Sequence, residues 1–262
     1  MPELPEAEAN RARIEDGALN RTIVQMRVGN DVRHMDLPSP RDRATFAGRQ
    51  FTRTHRHGKY IFAGSADGPW MAVHLGMSGS LRVHDGDDAA PDYARLTVVF
   101  EGDRRLTFRC PRKFGWIKAI DTPQTFIAQT GLGPDAMQID RAAFMSCIGG
   151  TRGAVKSALM AQGKLAGIGN LWSDEALFRA GIAPDARASD LGEDRVGTLF
   201  QVVRDVLQGV LDTNADYGKL PEGWLIHRRE VGRACPRCNG EIAKKTVGGR
   251  TAYHCPTHQK ET

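Results

Sequence analysis

The sequence has few of the features that mark secreted or membrane proteins. None of its hydrophobic runs approaches the length needed to span a bilayer, and its first ten residues are acidic, unlike a signal peptide. Only five of the 262 residues are cysteines, and three of these lie among the last thirty residues. This odd and clustered set favours a metal site over a disulfide framework. The sequence therefore predicts a cytoplasmic protein with no membrane partner.

Composition is otherwise ordinary for a globular protein. Apolar residues make up 40% and charged residues 26% of the chain, and the length of 262 residues suits two domains. No internal repeat or low-complexity segment is present. The net charge of +5 and the sequence pI of about 9.1 indicate a polyanionic partner.

The pattern of expected secondary structure changes near Asp121–Pro134, from mainly strands to mainly helices. Before this boundary, residues 3–19 are expected to form a helix, and short, evenly spaced strands that indicate a β-sandwich or barrel follow. The expected strands are Thr22–Val28, Gln50–Thr54, Lys59–Gly64, Trp70–Leu75, Ser80–His84, Ala94–Phe100, Arg105–Arg109 and Trp116–Ile120. After the boundary, helices are expected at Arg141–Ile148, Ala154–Gln162, Asn170–Ala180 and Leu191–Thr213.

The C-terminal cysteines have the spacing of a zinc site. Cys235 and Cys238 form one pair, and Cys255 and His258 form a second pair after sixteen intervening residues. Two such pairs on a β-hairpin complete a tetrahedron around one Zn²⁺ ion, and four protein ligands make the ion structural. His254 is the alternative fourth ligand, although His258 has the better spacing.

The chain begins with Met-Pro-Glu, and removal of Met1 would make Pro2 an N-terminal secondary amine. Such an amine has a pKa of about 7.7–8.0, against about 10.4 for lysine, so a useful fraction is uncharged at neutral pH. An uncharged amine is a nucleophile suited to Schiff-base chemistry, with Glu3 and Glu6 beside it to move protons. The alternative is a solvated terminus with proline in the first turn of a helix.

Two glycine-containing turns are candidate phosphate sites. Gly167 and Gly169 precede Asn170, which is placed to begin a helix whose N-terminus attracts anions. Gly248-Gly249 suits a hairpin turn that presents Arg250 to a phosphate-lined groove. The alternatives are an ordinary helix–helix turn for the first and a solvated basic loop for the second.

Taken in order, these motifs resemble the formamidopyrimidine-DNA glycosylase family of bifunctional base-excision repair enzymes. The resemblance covers nearly the whole chain. Its blocks are Met1–Glu8, Gly58–Tyr60, His74–Leu81, Pro111–Gly115, Leu132–Asp135, Gly167–Asn170, Leu177–Ile182 and the terminal cysteine hairpin.

The resemblance implies an α+β multidomain fold. Residues 1–130 would form a β-sandwich with a capping helix, 131–230 a helix–two-turn–helix domain, and 231–262 a zinc β-hairpin. Damaged double-stranded DNA would bind between the domains of a monomer, in the nucleoid if the source is bacterial. The implied activity is removal of formamidopyrimidines and 8-oxoguanine, followed by AP lyase cleavage. An oxidised-pyrimidine glycosylase and a catalytically silent damage-binding protein are the alternatives.

The resemblance also implies a role for individual residues. Pro2 would attack C1′ of the flipped nucleotide, Glu3 would act as general acid, and Glu6 would be a structural or relay carboxylate. Lys59 would donate a proton during β-elimination, and Arg250 would assist δ-elimination or, on physical grounds, hold a phosphate. The implied DNA contacts are His74, Met77, Tyr93, Arg112, Phe114, Arg152, Lys156 and Asn170.

Three departures from the family pattern stand out. His258 replaces a fourth zinc cysteine, and Pro91-Asp92-Tyr93 replaces a His-Asp-His motif near the DNA. The segment 216–227 replaces the family's lesion-capping loop and is expected to be shorter. Met77, Arg112 and Phe114 match the residues that fill the space left by the flipped base, and they favour the Fpg branch of the family over the endonuclease VIII branch.

Overall fold

The computed structural model describes residues 2–65 and 67–260. It divides into two compact units, Met1–Gly131 and Leu132–Thr262. The division of the chain into three domains, at 1–130, 131–230 and 231–262, remains a prediction. Among the described residues, none of the helices combines the length and apolar composition that crossing a lipid bilayer requires.

Two four-stranded antiparallel sheets form the first unit. The strands are β1 Ile23–Val28, β2 Arg53–His57, β3 Tyr60–Gly64, β4 Trp70–His74, β5 Ser80–Asp85, β6 Ala94–Phe100, β7 Arg104–Arg109 and β8 Trp116–Ile120. One sheet has the strand order β1-β6-β7-β5 and the other β2-β3-β4-β8, so the predicted sandwich is confirmed.

Alternating apolar residues of both sheets form one core. On β6, Leu96, Val98 and Phe100 are buried, as the two-residue period of a strand with one buried face requires. They pack with Ile61 and Val73 of the other sheet. Because these residues of the two sheets bury one another, the sandwich is stable although its strands are short.

Helix α1, Leu4–Ala18, closes one side of the sandwich. Ala7, Ile14 and Ala18 of α1 belong to the sandwich core, and the helix touches β2, β3, β5 and β7. The capping helix predicted for residues 3–19 is therefore confirmed, and the residues of α1 are fixed to the sandwich.

Two short helices of the first unit were not expected. Helix α2, Pro40–Ala44, follows Ser39, and helix α3, Pro123–Thr130, follows Thr122. In both, the hydroxyl of the preceding residue accepts a hydrogen bond from a first-turn N–H. Each start is the Ser/Thr-Pro signal of a helix N-terminus, which the nearby glycines and prolines obscured.

Strand β2 lies three residues further along the chain than expected. The prediction of Gln50–Thr54 followed Phe51, which is buried but precedes the strand. The true strand, Arg53–His57, contains no apolar residue, so its hydropathy gives no strand signal. Its ladder partner is β3.

In the described part of the second unit, up to residue 260, the chain forms four α-helices and a β-hairpin. The helices are α4 Arg141–Gly149, α5 Val155–Met160, α6 Asn170–Ala180 and α7 Gly192–Asp212, and the hairpin strands are β9 Ala243–Val247 and β10 Arg250–His254. Helix α7 packs against α4 and α6, and α6 touches β10. The helical region and terminal hairpin predicted from the sequence are therefore confirmed.

Candidate functional site

The chain enters helix α1 through a reciprocal capping box. The backbone N–H of Glu3 donates to Oε2 of Glu6 at 2.7 Å, and the Glu3 carboxylate accepts from the Glu6 backbone. Glu3 is buried while Pro2 and Glu6 are half-buried. The carboxylate that follows Pro2 in the chain is therefore held in one place by the helix start.

A buried asparagine fastens this helix to β5. The Asn10 side chain donates to the carbonyl of Glu6 at 2.7 Å and accepts from the backbone N–H of Leu81 at 2.6 Å. Only 6% of Asn10 is exposed. Because both groups of the amide are used, rotation of the helix about its axis breaks at least one buried hydrogen bond.

Lys59 lies in the turn between β2 and β3, after Gly58, which has a φ of +55°. Arg56, on β2, donates to Glu8 of α1 at 3.0 Å and to the carbonyl of Gly58 at 3.3 Å. Burial alone raises the pKa of Glu8, but hydrogen bonds and charge from Arg11 and Arg56 lower it overall. One ionised carboxylate thus ties the helix that follows Pro2 to the turn that holds Lys59.

Two adjacent turns of the first unit present Met77, Arg112 and Phe114. A Cβ atom on Gly76 would lie 2.4 Å from the backbone nitrogen of Gly115, so the 75–79 and 110–115 turns pack backbone to backbone. Met77 is 37% and Phe114 59% exposed, and the Arg112 guanidinium lies 5.6 Å from the Phe114 ring centre. The structure therefore brings the predicted void-filling residues onto neighbouring turns.

His74 and Tyr93 have different surroundings. The centre of the His74 ring lies 5.1 Å from the ring centre of Tyr60 and 5.7 Å from that of Trp116. The Nδ1 atom of His74 is buried without a hydrogen-bond partner among the described residues. Burial, with a smaller contribution from the charge of Lys59, lowers the pKa of His74 to about 4. His74 is therefore neutral at pH 7, whereas Tyr93 is 54% exposed and available for contact.

The turn before α6 is organised by Gln162. Its amide donates to the carbonyls of Met160 and Ile168, both at 2.8 Å, and accepts from the N–H of Gly167 at 3.1 Å. Gly167 has a φ of +118°, which excludes other residues without strain. Asn170 then begins the helix, and its Oδ1 is buried without a partner among the described residues.

The structure contradicts the prediction that Lys156 binds a phosphate directly. Its side chain is 0% exposed and forms an ion pair with Asp174, which is equally buried. Lys156 also donates to the carbonyl of Asn170 at 3.3 Å. The physical reason is burial, since an ammonium inside the protein pairs with an internal carboxylate rather than with solvent. Arg152, in contrast, is exposed.

Asp174 joins three elements of the second unit. Besides Lys156 of α5, it accepts from Arg229 at 2.8 Å and from the backbone N–H of Tyr253 at 3.1 Å. Tyr253 lies on β10, the strand that begins with exposed Arg250. The helix of Asn170 and the hairpin of Arg250 are therefore fixed to one buried carboxylate.

The neighbouring Glu175 supports the segment predicted to replace a lesion-capping loop. Its carboxylate accepts from the backbone N–H groups of Leu225 at 3.1 Å and Ile226 at 2.9 Å. Burial raises the pKa of Glu175 to about 7, although these two hydrogen bonds oppose the shift. The segment contains 3-10 helices at Tyr217–Lys219 and Leu225–Arg228.

Three cysteines provide a set of metal donors in the second unit. The Sγ atoms of Cys235, Cys238 and Cys255 all lie within 4.8 Å of one another. Sulfur donors at this spacing suit one zinc ion. His258, the predicted fourth ligand, lies outside this group, and its Nε2 donates to the carbonyl of Phe178 at 2.8 Å. The alternative, His254, lies outside the group as well.

Comparison with known proteins identifies the family. The family model "Formamidopyrimidine-DNA glycosylase N-terminal domain" matches residues 1–117, and "Formamidopyrimidine-DNA glycosylase H2TH domain" matches residues 131–219. The formamidopyrimidine-DNA glycosylase of Geobacter metallireducens is 35% identical over 269 aligned residues, which cover 99% of this chain and 100% of that protein. The chain belongs to the formamidopyrimidine-DNA glycosylase family. It is therefore an enzyme of base-excision repair, a DNA glycosylase.

Solved structures agree with this assignment. The Lactococcus lactis FPG (MutM) complex with DNA containing FAPY-dG has a TM-score of 0.86 at 26% identity, covering 99% of this chain and 100% of that one. A MutM complex with DNA containing carbocyclic 8-oxo-G has a TM-score of 0.85 at 26% identity and the same coverage. This glycosylase thus has the family's fold over nearly its whole length.

Sequence reasoning missed the charged residues that support the candidate site. Asp174 and Glu175 lie in the middle of α6, beside the buried apolar residues Trp172, Leu177 and Phe178. Two adjacent acids among buried apolar residues of one helix were the available signal, because buried carboxylates need partners. The partners themselves, Arg229 and the backbone of 225–226, are fifty or more positions away and have no local signature.

Proposed function

We propose that this glycosylase removes formamidopyrimidines and 8-oxoguanine from damaged double-stranded DNA and then cleaves the strand at the abasic site. The two solved complexes hold DNA with FAPY-dG and carbocyclic 8-oxo-G, which supports an oxidised-purine substrate. The net charge of +5 suits a polyanion. We further propose that it acts as a monomer in the cytoplasm.

The capping box at Glu3 carries the proposal for chemistry at Pro2. In a chain that has lost Met1, the Pro2 nitrogen attacks C1′ of the flipped nucleotide, and the bond from C1′ to the base breaks. The base leaves with the electron pair and takes up a proton. The amine then gives its proton to the Glu3 carboxylate, Glu3 passes this proton to O4′ as general acid, and the C1′–O4′ bond opens to give the Schiff base. The helix start holds the Glu3 carboxylate at the position from which it transfers the proton.

Strand cleavage follows by elimination. Loss of a proton from C2′ expels the 3′-phosphate, and a second elimination expels the 5′-phosphate. Lys59, on the turn that Arg56 and Glu8 tie to α1, supplies a proton during the first step. Arg250 holds a phosphate, because a guanidinium does not readily lose its proton.

The remaining proposed contacts separate into two groups. Met77 and Phe114 are exposed apolar side chains suited to the space that a flipped base leaves, and Arg112 beside them hydrogen-bonds the unpaired base. The second group hydrogen-bonds the DNA backbone and consists of Asn170, Arg152, Tyr93 and neutral His74. Lys156 does not contact DNA, because its ammonium is buried against Asp174, and it supports Asn170 by donating to its carbonyl.

Borohydride trapping tests the proposal. The protein is incubated with duplexes containing formamidopyrimidine, 8-oxoguanine, an oxidised pyrimidine or an abasic site, and a covalent adduct is sought after reduction. We expect adducts with the first, second and fourth duplexes, and none with Pro2→Gly. An uncleaved N-terminal tag on the native sequence is the matched control and should also prevent trapping. No adduct on any duplex would contradict the mechanism, and trapping on oxidised pyrimidine alone would reassign the substrate.

We also propose that Cys235, Cys238 and Cys255 hold one structural zinc ion, with Nδ1 of His258 as the fourth ligand. The Nε2 hydrogen bond to Phe178 is the kind of partner that orients a metal-bound imidazole. Zinc content after dialysis tests this choice. His258→Ala should lose zinc while His254→Ala retains it, and the reverse result would transfer the ligand role to His254.

A further inference from the structure

The residue between Arg112 and Phe114 has an unusual backbone conformation. Lys113 has a φ of +58°, a region that residues with a Cβ atom adopt uncommonly and only where surrounding contacts hold them. Its ammonium lies 2.5 Å from Oδ1 of Asp31. This ion pair is a contact that holds the 110–115 turn in place.

The buried guanidinium of Arg95 holds the backbone of Asp31 in place. Arg95, which is 5% exposed, donates to the carbonyl of Asn30 at 3.1 Å, of Asp31 at 2.9 Å and of Cys110 at 3.0 Å. The first two carbonyls belong to the segment after β1, and the third begins the 110–115 turn. One side chain therefore sets the position of Asp31 relative to the turn that Lys113 occupies.

We propose that Asp31 is a positioning residue of this glycosylase, which through Lys113 holds Arg112 and Phe114 ready to enter the duplex. The inference rests on the proposed function, because it takes these two side chains to fill the space of the flipped base. A turn already ordered in free protein loses less conformational entropy when it inserts. The Asp31–Lys113 pair thus favours the flipped complex without touching DNA.

A direct phosphate contact by Lys113 is the competing explanation, and it predicts a different sign. Asp31 is 57% exposed at its side chain, and the hydrogen bond from Lys113 lowers its pKa, so it is ionised at neutral pH. If Lys113 served as a phosphate ligand, removing the neighbouring negative charge would strengthen DNA binding. If Asp31 positions the turn, removing either partner weakens insertion.

The test compares Asp31→Asn, Lys113→Met and the double variant. Single-turnover excision is measured on a formamidopyrimidine duplex, and borohydride trapping is measured on a single-stranded abasic oligonucleotide, which has no stack to fill. We expect duplex excision to fall about two- to fivefold in each single variant, in the range of an exposed ion pair, and no further in the double variant. Trapping on the single strand should stay unchanged, and Lys113→Arg should restore excision.

The control is a second exposed Lys–Asp pair of the same unit, Lys118 with Asp36 at 2.8 Å. Asp36→Asn should leave duplex excision unchanged. Faster excision in Asp31→Asn, or an unchanged rate in both single variants, would overturn the inference. Loss of single-strand trapping in a variant would also overturn it by showing general damage. Absence of trapping in the native protein would instead contradict the proposed Pro2 chemistry, so the two failures are distinguishable.

Discussion

The first unit holds its site residues with a buried neutral amide, close backbone packing and ion pairs that are partly exposed, whereas the second holds them with an ion pair that is fully buried. In the first, Asn10 joins α1 to the N–H of Leu81, and Gly76 lets two turns meet. In the second, the Lys156–Asp174 pair is 0% exposed at both side chains. The two supports respond differently when one group is removed.

Burial of charge makes the second unit the more sensitive one. Loss of a neutral buried hydrogen-bond partner costs about 1–3 kcal/mol. Removal of one member of a buried ion pair costs about 3–5 kcal/mol, because the other charge is left without compensation. Asp174 balances Lys156 and Arg229 with a single carboxylate, so the placement of Asn170 and Arg250 depends on this charge balance.

The largest expected effect comes from Lys156→Met. It removes one of the two cations that compensate the buried Asp174 carboxylate and leaves Arg229 as the other among the described residues, so it should destabilise the second unit by about 3 kcal/mol, the lower end of the range for a broken buried ion pair. Hydrogen exchange of the α6 amides as a function of urea measures this change. Asn10→Leu is the comparison in the first unit and should cost about 1–3 kcal/mol there. A smaller loss for Lys156→Met than for Asn10→Leu would reverse the ranking of the two supports.

The two units should also respond oppositely to pH. Burial first, and the Lys59 charge second, lower the pKa of His74 from 6.5 to about 4. Between these values the unfolded chain binds a proton that the folded first unit does not, so this unit loses stability as the pH falls. Burial raises the pKa of Glu175 from 4.5 to about 7. Between pH 4.5 and about 7, the folded second unit retains a proton that the unfolded chain has lost. The stability of this unit therefore decreases as the pH rises from 4.5 to about 7.

Each titration corresponds to about 3 kcal/mol between its two limits. Because the two effects cancel in the whole molecule, each unit must be followed separately. Hydrogen exchange of β4 amides and of α6 amides between pH 4 and pH 8, corrected for intrinsic exchange rates, does so. His74→Phe should remove the slope in the first unit alone, and Glu175→Gln the slope in the second alone. Slopes of the same sign in both units would contradict the prediction.

The sequence predicted those parts of the molecule whose signal is local. Strand β6 and helix α6 have the expected bounds, Ala94–Phe100 and Asn170–Ala180. Apolar alternation marks the first, and the preceding glycines mark the start of the second. The cysteine spacing likewise predicted a cluster that the structure forms.

What the sequence did not predict depends on partners distant in the chain. Strand β2 is defined by its ladder with β3 and not by its own hydropathy. Lys156 looked like a phosphate ligand because its charge is visible in the sequence, while its burial against Asp174, eighteen positions away, is not. The Asp31–Lys113 pair spans 82 positions, so no local pattern announces it.

The smallest expected effect is that of Lys245→Met. It tests whether the cost of losing an ion pair depends on the burial of the pair or only on its location in the second unit. Lys245 also forms an ion pair in the second unit, with Asp185 at 2.8 Å, but its side chain is 31% exposed. Water and salt screen such a pair, so Lys245→Met should cost less than about 1 kcal/mol by the same exchange measurement on α6. The cost should fall further in 1 M salt, whereas that of Lys156→Met should not. Equal costs for the two lysines would show that the second unit is sensitive for a reason other than the burial of its charges.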